Sequence, residues 1–309
     1  MITSRIVIAT PKGFHFWHTV YSHGWCVLPP FYVDRERKKF GRLLRLHDST
    51  LVLCWITSPK GMDSHKGNAL HIYASSKKQL TKEQRREIAS QVRQCFRLDE
   101  DFSGFYALTR SKAQFRWISN LRTGRLLRAP TVFEDVVKMI CTTNCSWALT
   151  TVMIENLTKK IGRRYEDGVH AFPTPEELAS VSEKFLRKEI RAGYRSPYLL
   201  ELAEKVAGGQ LDIESLRSSP LPTPELYKHV RSIKGIGEYA AGNILKLLGR
   251  YDYLGLDSWV RRKFSELHRN GRKISDRAIE RHYAQFGQWR GLLFWLEMTR
   301  DWYDHEFPF

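Results

Sequence analysis

The feature that most constrains the fold is a short glycine turn between two helical segments. Residues Thr223–Arg231 and Glu238–Leu248 carry apolar side chains at helical spacing, and Gly235-Ile236-Gly237 separates them. Both glycines can adopt positive φ and allow close backbone approach, so the chain can reverse here. The pattern predicts a helical hairpin at residues 226–248 within a mainly helical region.

The start of the second hairpin helix is a candidate anion site. Its first amides have no partner within the helix, and the helix dipole makes that end positive. A DNA phosphate fits such an end without any side-chain recognition. An ordinary helical hairpin closed by a glycine cap gives the same pattern, so the turn needs support from elsewhere in the sequence.

The charge balance supplies part of that support. The chain has 309 residues, with 50 Lys and Arg against 33 Asp and Glu, for a net charge of +17. This excess favours a polyanionic partner such as nucleic acid over an anionic membrane. Because no run of 18 apolar residues and no secretory signal is visible, we expect an intracellular protein, in the cytoplasm or nucleoid, or in the nucleus of a eukaryote.

The cysteines and histidines give no metal-binding pattern. There are five cysteines, an odd number without regular spacing, which is typical of reduced thiols. Cys141 and Cys145 lie one helical turn apart but have no Cys or His neighbours, and His15, His18 and His23 share no helix face. We therefore expect no metal site.

Two regions differ in their hydrophobic period. The first hundred residues contain short β-branched and aromatic runs, and after Leu98 the period becomes helical, in segments from Pro130–Thr142 to Trp289–Asp301. We predict an α+β protein, with a small twisted antiparallel sheet domain at residues 1–97 and a helical region at residues 98–309. The predicted strands are Arg5–Ala9, Trp25–Leu28, Phe31–Asp34, Leu43–Leu46, Thr50–Thr57 and Asn68–Ala74, with a loop at Ser58–Gly67 and a helix at Thr81–Phe96.

An acidic residue follows the hairpin at a defined distance. Asp257 lies eighteen residues after Tyr239, where the predicted helix Asp257–His268 begins. Asp is a favoured N-cap, and most such residues only cap a helix. A capping carboxylate is also held rigidly, so structural and chemical roles are compatible here.

The hairpin, the loop and the helix-opening Asp together resemble the helix-hairpin-helix DNA glycosylase superfamily. Other segments are similar in order and spacing to its 8-oxoguanine and 3-methyladenine classes, so the resemblance spans residues 96–301. These segments are Phe96–Phe102, Gly124–Arg128, Ile140–Asn144, His170–Ala179 and Gly193–Tyr198. The resemblance implies a helical HhH-GPD glycosylase region that binds double-stranded DNA containing a damaged base, acting as a monomer.

The resemblance also implies roles for single residues. Asp257 would be catalytic, because a carboxylate stabilises the cationic sugar that forms when an N-glycosidic bond breaks. Gly235, Ile236 and Gly237 would bind DNA, with a monovalent cation possible at the hairpin. Asn144, Tyr194 and Arg195 would occupy or contact the gap left by the flipped base, where an aromatic plane and polar donors replace the lost stacking.

Departures from the family pattern indicate a particular chemistry. Bifunctional members have a lysine where this chain has Tyr239, and a phenol cannot form their imine. Lys246 lies seven residues further along, and we expect it to be too far from the hairpin to replace that lysine. No Cys follows residue 145, so no iron–sulfur cluster and no other cofactor is expected. An Arg expected after Asn144 is missing, and no base-contacting Gly is recognisable around His23-Gly24-Trp25.

We therefore expect a monofunctional glycosylase that hydrolyses the bond to a damaged purine in base excision repair. An aromatic residue at position 239 favours a cationic alkylated purine, through cation–π attraction. Two alternatives stay open: an 8-oxoguanine-type glycosylase with weak lyase activity, and a catalytically silent DNA-binding protein. Base-release and borohydride-trapping experiments distinguish them.

Overall fold

The N-terminal region forms one antiparallel sheet with strand order β1-β5-β4-β3-β2. The computed structural model describes residues 1–58, 69–304 and 307. Ile6 pairs with Ile72, and Leu44 with Val52, so apolar side chains of neighbouring strands share the buried face. The strands are β1 (Ile2–Ala9), β2 (Phe31–Asp34), β3 (Lys39–Arg45), β4 (Leu51–Thr57) and β5 (Ala69–Ser76).

The predicted strand at Trp25–Leu28 is wrong. Residues Gly24–Val27 form a 3₁₀ turn, which follows a short helix, α1 (Phe16–Val20), that the sequence pattern did not predict. The His23 side chain caps this turn by accepting a hydrogen bond from the Trp25 amide. The predicted loop at Ser58–Gly67 lies, apart from Ser58, outside the described residues, as does the first residue of the predicted strand Asn68–Ala74.

The rest of the described chain is mainly helical, which confirms the predicted α+β class. Two of its short helices, α3 and α4, were not predicted, and neither has a side-chain N-cap. The helices are α2 (Lys82–Cys95), α3 (Ser103–Ser111), α4 (Arg116–Leu121), α5 (Val132–Thr142), α6 (Trp147–Lys160), α7 (Pro175–Ala179), α8 (Glu183–Lys188), α9 (Ser196–Ala207), α10 (Thr223–Ser232), α11 (Glu238–Leu248), α12 (Ser258–Arg269), α13 (Asp276–Ala284), α14 (Arg290–Met298) and α15 (Asp301–Asp304).

Sheet and helices share a continuous apolar core. Buried side chains of β3, such as Leu44, belong to the same cluster as Ile140 of α5 and Ile244 of α11. A second cluster lies among α3, α4 and α12–α14. The predicted division after residue 97 therefore remains a prediction. All five cysteines are free thiols.

A buried arginine fixes the end of the second hairpin helix. The Arg97 guanidinium donates to the carbonyls of Lys246 and Leu247 at 2.6 Å each, and Arg128 donates to the Leu247 carbonyl at 3.0 Å. These carbonyls lie at the C-terminal end of α11, where helical carbonyls lack partners and cations are favourable. These contacts fix the position of the C-terminal end of α11 relative to the segments that contain Arg97 and Arg128.

Candidate active site

The glycine turn forms the predicted hairpin between α10 and α11. Gly235 has φ +86°, and a Cβ there would lie 2.9 Å from the Tyr198 side chain, so both conformation and space require glycine. Gly237 has φ −86°, so the expectation of positive φ holds for Gly235 alone. Gly237 is the N-cap of α11 and has no side chain to satisfy the first amides of that helix. Ile236 is buried, so its side chain is not available to a ligand.

Asp257 caps α12, as the sequence predicts. Its Oδ1 accepts a hydrogen bond from the Val260 amide at 2.8 Å, which fixes the carboxylate and uses one of its two oxygens. The side chain is half-buried and lines a cavity. The same residue therefore ends a loop, starts a helix and presents a fixed carboxylate to the cavity.

The cavity lies between the helical region and the segment after α1. It has a volume of about 450 Å³, within the range of sites that enclose a small molecule. Asp257 and Tyr239 both line it, so the structure brings these two predicted residues together. Its aromatic walls come from distant parts of the chain: Trp25, Trp147, Trp259, Trp295, Trp302 and Tyr239.

Hydrogen bonds hold two of these tryptophans in the wall. Trp25 Nε1 donates to Asp135 at 2.9 Å, and Trp295 Nε1 donates to the Ser22 carbonyl at 3.0 Å. The second contact joins α14 to the segment after α1. An indole whose N–H is already bound inside the protein presents a fixed apolar face to a ligand.

The phenol of Tyr239 is neutral at physiological pH. Burial, with a smaller effect of the nearby Asp257 carboxylate, raises the pKa of Tyr239 to about 12, while the Thr142 side chain acts in the opposite direction. Tyr239 can therefore donate a hydrogen bond or stack against a base, but it supplies no charged nucleophile.

Lys246 also lines the cavity, although the sequence argument placed it too far from the hairpin. Tyr239, Asn243 and Lys246 are spaced i, i+4 and i+7, so all three project from one face of α11. Burial lowers the pKa of Lys246 to about 7, against the opposing effect of the Asp257 charge. Its Nζ donates to the Leu254 carbonyl at 2.5 Å, to Asn243 Oδ1 at 3.2 Å and to the Gly242 carbonyl at 3.4 Å.

These contacts make Lys246 part of the support for Asp257. Leu254 lies three residues before Asp257, so the Lys246 amine holds the loop that delivers the carboxylate. A Cβ at Gly255 would lie 3.0 Å from this nitrogen, and Gly255 has φ +69°. The i, i+7 spacing from Tyr239 is the sequence signal that could have placed Lys246 in the cavity wall. The sequence analysis used the distance along the helix axis instead and so excluded it.

The segment His23-Gly24-Trp25 forms another part of the wall, which sequence analysis missed. A Cβ at Gly24 would lie 2.3 Å from the Trp147 ring, so this glycine allows the indole to pack against the backbone. The His23 ring contacts the Leu127 carbonyl through Nε2 at 2.5 Å, and burial lowers the pKa of His23 to about 4. The imidazole is neutral near physiological pH.

The three residues predicted to fill the gap of a flipped base lie together. Asn144 Nδ2 lies 3.4 Å from the Tyr194 hydroxyl, and that hydroxyl donates to the Thr143 carbonyl at 3.2 Å. Tyr194 is 46% exposed, whereas Arg195 is 3% exposed, stacks on the Tyr194 ring and donates to the same Thr143 carbonyl. Arg195 therefore positions Tyr194, and its burial does not favour the predicted contact with a base. Neighbouring Thr142 and Cys145 line the cavity, so the cluster lies beside it.

Comparisons with known proteins agree with this geometry. Residues 137–288 match the model of the HhH-GPD superfamily base excision DNA repair protein. A probable N-glycosylase/DNA lyase of Methanothermobacter thermautotrophicus is 26% identical over 215 residues, which cover 62% of this chain and 67% of that protein.

Two solved structures share the fold over nearly the whole chain. The 3-methyladenine DNA glycosylase of Archaeoglobus fulgidus has a TM-score of 0.74 at 19% identity, covering 96% of this chain and 99% of that one. The 8-oxoguanine glycosylase/lyase of Clostridium acetobutylicum has a TM-score of 0.72 at 19% identity, covering 95% of each chain.

The described residues include no helix with the length and hydropathy needed to cross a membrane.

The matched region contains the hairpin, Tyr239 and Asp257, and the sheet that precedes it is shared with both solved structures. Residues 137–288 therefore form a domain of the HhH-GPD superfamily of base excision DNA repair proteins, and the chain is a DNA glycosylase.

Proposed function

We propose that the protein is a monofunctional glycosylase that takes a damaged purine, with alkylated purines favoured, out of duplex DNA and hydrolyses its N-glycosidic bond. The observation that carries the proposal is that Asp257 and Tyr239 line one aromatic-walled cavity. A fixed carboxylate and flat apolar walls suit a sugar that becomes cationic and a base that must be stacked.

Asp257 supplies the charge in this reaction. As the glycosidic bond breaks, the base leaves with the bonding electrons and the sugar becomes an oxocarbenium-like cation. The Val260 amide holds one carboxylate oxygen, and the other is available to stabilise the cation or to accept a proton from the attacking water. Water adds at C1′ and gives an abasic site.

The aromatic wall supports the preference for alkylated bases. A cationic purine is attracted to the faces of tryptophan and tyrosine rings, and it is also a good leaving group. Trp25, Trp147, Trp259, Trp295 and Trp302 provide such faces around the carboxylate. The Lys246 ammonium opposes a cationic base below about pH 7 and ceases to oppose it above, since burial lowers the pKa of Lys246 to about 7.

Duplex DNA is the proposed partner, bound by a single chain. The uncapped amides after Gly237 suit a backbone phosphate, and the exposed Tyr194 ring suits the gap left by the base. The net charge of +17 favours this polyanion. A monovalent cation at the hairpin and an intracellular location remain predictions.

A base-release screen tests the proposal. Duplexes carrying 3-methyladenine, 7-methylguanine, hypoxanthine, 8-oxoguanine or uracil are incubated with protein, and alkali then cleaves any abasic site. We expect release from alkylated purines and strand breaks only after alkali. Duplex binding without release of any base would reject the proposal and favour a catalytically silent DNA-binding protein. Release of 8-oxoguanine alone would reject the alkylated substrate.

Lys246 supports a second candidate, an 8-oxoguanine-type glycosylase with lyase activity. A neutral amine in the cavity can attack C1′, expel the base with its bonding electrons, lose a proton and form an imine with the opened sugar. Elimination of the 3′ phosphate would then cut the strand. The geometry supports hydrolysis better, because three oxygens hold the Lys246 amine and an attack must break these contacts.

Borohydride reduction separates the two candidates. It traps an imine as a stable protein–DNA adduct, and we expect none with the unmodified chain. An adduct that Lys246→Gln abolishes would establish the lyase route. Lys234→Gln is the matched control, since Lys234 is exposed and pairs with Glu201 outside the cavity.

A further inference from the structure

A second cluster of polar side chains lies among the helices that follow Asp257. His268 is in the last turn of α12, His282 is on α13 and Glu297 is on α14. The atoms with which these residues could hold an ion all lie within 4.8 Å of one another. None of the three lines the cavity that contains Asp257.

The spacing of the cluster is close to that of a zinc site. His268 Nε2 lies 3.4 Å from Glu297 Oε1. Two ligands bound tetrahedrally at ordinary zinc distances are about 3.3–3.5 Å apart. That pair therefore already has the required spacing. The ligand atom of the third residue, His282, lies within 4.8 Å of the other two, so a movement of at most roughly 1.5 Å would bring this half-buried side chain to the same spacing.

One ligand atom is buried without a hydrogen bond. Among the described residues, no well-aligned hydrogen bond reaches His268 Nε2, which is inaccessible to solvent although Glu297 lies nearby. An unpaired polar atom of this kind is costly unless another group satisfies it. A zinc ion can satisfy such an atom, because imidazole nitrogen is one of its ordinary ligands.

A neighbouring side chain orients the carboxylate. The Tyr283 hydroxyl donates to Glu297 Oε2 at 2.5 Å, so the other oxygen, Oε1, is the one beside His268. Hydrogen bonds of this kind fix metal-binding carboxylates in known sites. Arg269 and Arg300 are the cations that act electrostatically on the cluster, and they weaken its attraction for a metal ion.

We propose that His268, His282 and Glu297 bind one zinc ion, with water as the fourth ligand. The ion would join α12, α13 and α14 to one another, and α12 is the helix that Asp257 begins. The role is structural and does not depend on the proposed glycosylase reaction. The sequence indicated no metal site because the three ligands come from three helices and adjoin only in the fold.

Zinc titration of the full chain, freed of affinity tag and metal, tests the proposal. We expect one Zn²⁺ per chain by calorimetry, a rise in Tm of a few degrees and, with Co²⁺, the strong visible absorption of a tetrahedral site. His282→Ala should weaken binding at least tenfold. His47→Ala is the matched control, because the His47 side chain is 96% exposed and far from the cluster in sequence.

A second variant guards against a folding artefact. Glu297→Gln keeps the shape of the side chain but loses the charge, so it should also bind zinc at least tenfold more weakly while its circular dichroism stays native. Failure of the unmodified chain to bind one equivalent would overturn the proposal. So would equal affinity in His282→Ala and His47→Ala.

Discussion

Two buried lysines show how the same side chain is stabilised in different ways. Lys138 lies on α5, where its Nζ is 2.8 Å from Glu134 Oε1 one turn away on the same helix. Lys246 lies in the cavity wall, and the atoms to which its Nζ donates belong to carbonyl and amide groups. Both side chains are at most 2% exposed.

The first lysine belongs to a closed ion cluster. Arg42 on β3 donates to both carboxylate oxygens of Glu134, at 2.8 and 2.5 Å, and Lys138 completes the group. Burial alone would raise the pKa of Glu134, but the two cations hold it below its usual value. The Glu134 carboxylate is therefore paired on both sides and joins β3 of the sheet to α5.

Among the described residues, no anion contacts the second lysine, Lys246. Burial lowers its pKa to about 7, and Asp257 affects it only through its charge. Charged groups are costly to bury without a partner, so such an arrangement marks a site where something else is gained. The difference suits a structural role for the Glu134 cluster and the role proposed above for the region of Asp257 and Lys246.

The largest effect is expected from breaking the structural cluster. Glu134→Gln leaves Arg42 and Lys138 buried without their counter-charge, and such a loss costs about 3–5 kcal/mol. Chemical denaturation measures it as a lower free energy of unfolding. An unchanged free energy of unfolding would show that the cluster does not hold the sheet to α5.

The next effect concerns chemistry and leaves stability nearly unchanged. Asp257→Asn retains an N-cap side chain but loses the charge, so single-turnover base release should fall by about 10²–10³-fold. Duplex affinity, measured in parallel, should change little. Near-normal release would reject the catalytic role of the carboxylate.

A pH comparison of the two lysines separates their environments. The folded chain releases the Lys246 proton near pH 7, whereas an unfolded chain holds it to about pH 10.5. The unfolded state binds more protons in between, so the contribution of Lys246 to stability improves as pH rises through this window. The change in the free energy of unfolding caused by Lys246→Met should therefore be more favourable at pH 7 than at pH 9, by roughly 2–3 kcal/mol. Chemical denaturation at the two pH values measures it.

The matched variant is Lys138→Met, which removes one of the two cations beside Glu134 and should destabilise the chain at both pH values. Equal changes in the two variants at both pH values would remove the distinction between the regions.

The smallest effect is expected at the exposed wedge. Tyr194→Ala should weaken binding to a lesion duplex by about 5- to 50-fold, the value of one stacked base, and should hardly affect binding to single-stranded DNA. Tyr73→Ala is a suitable control, because Tyr73 is 38% exposed on the sheet. Equal losses on the two DNA forms would count against insertion of Tyr194 into the duplex.

Local signals in the sequence were enough for the hairpin and for Asp257. A glycine turn between periodic segments and a capping Asp are short-range patterns, so they predict their structure without tertiary contacts. The prediction of a strand at Trp25–Leu28 failed because its one aromatic residue, Trp25, lies in a 3₁₀ turn and lines the cavity. The role of Lys246 was missed because distance along α11 was considered and the shared helix face was not.

Other parts of the site depend on long-range packing. Gly24 meets Trp147 only when the segment after α1 packs on α6, and Trp295 reaches Ser22 across most of the chain. The His268, His282 and Glu297 cluster likewise forms from three separate helices. No spacing in the sequence reports such contacts.

Binding of two abasic-site analogues tests most directly whether the Asp257 carboxylate acts on the sugar. One duplex carries a cationic pyrrolidine that imitates the charged sugar, and the other carries a neutral tetrahydrofuran of the same shape. We predict that the unmodified chain prefers the cationic duplex by about 100-fold or more and that Asp257→Asn loses most of this preference. The same preference in both proteins would contradict the account.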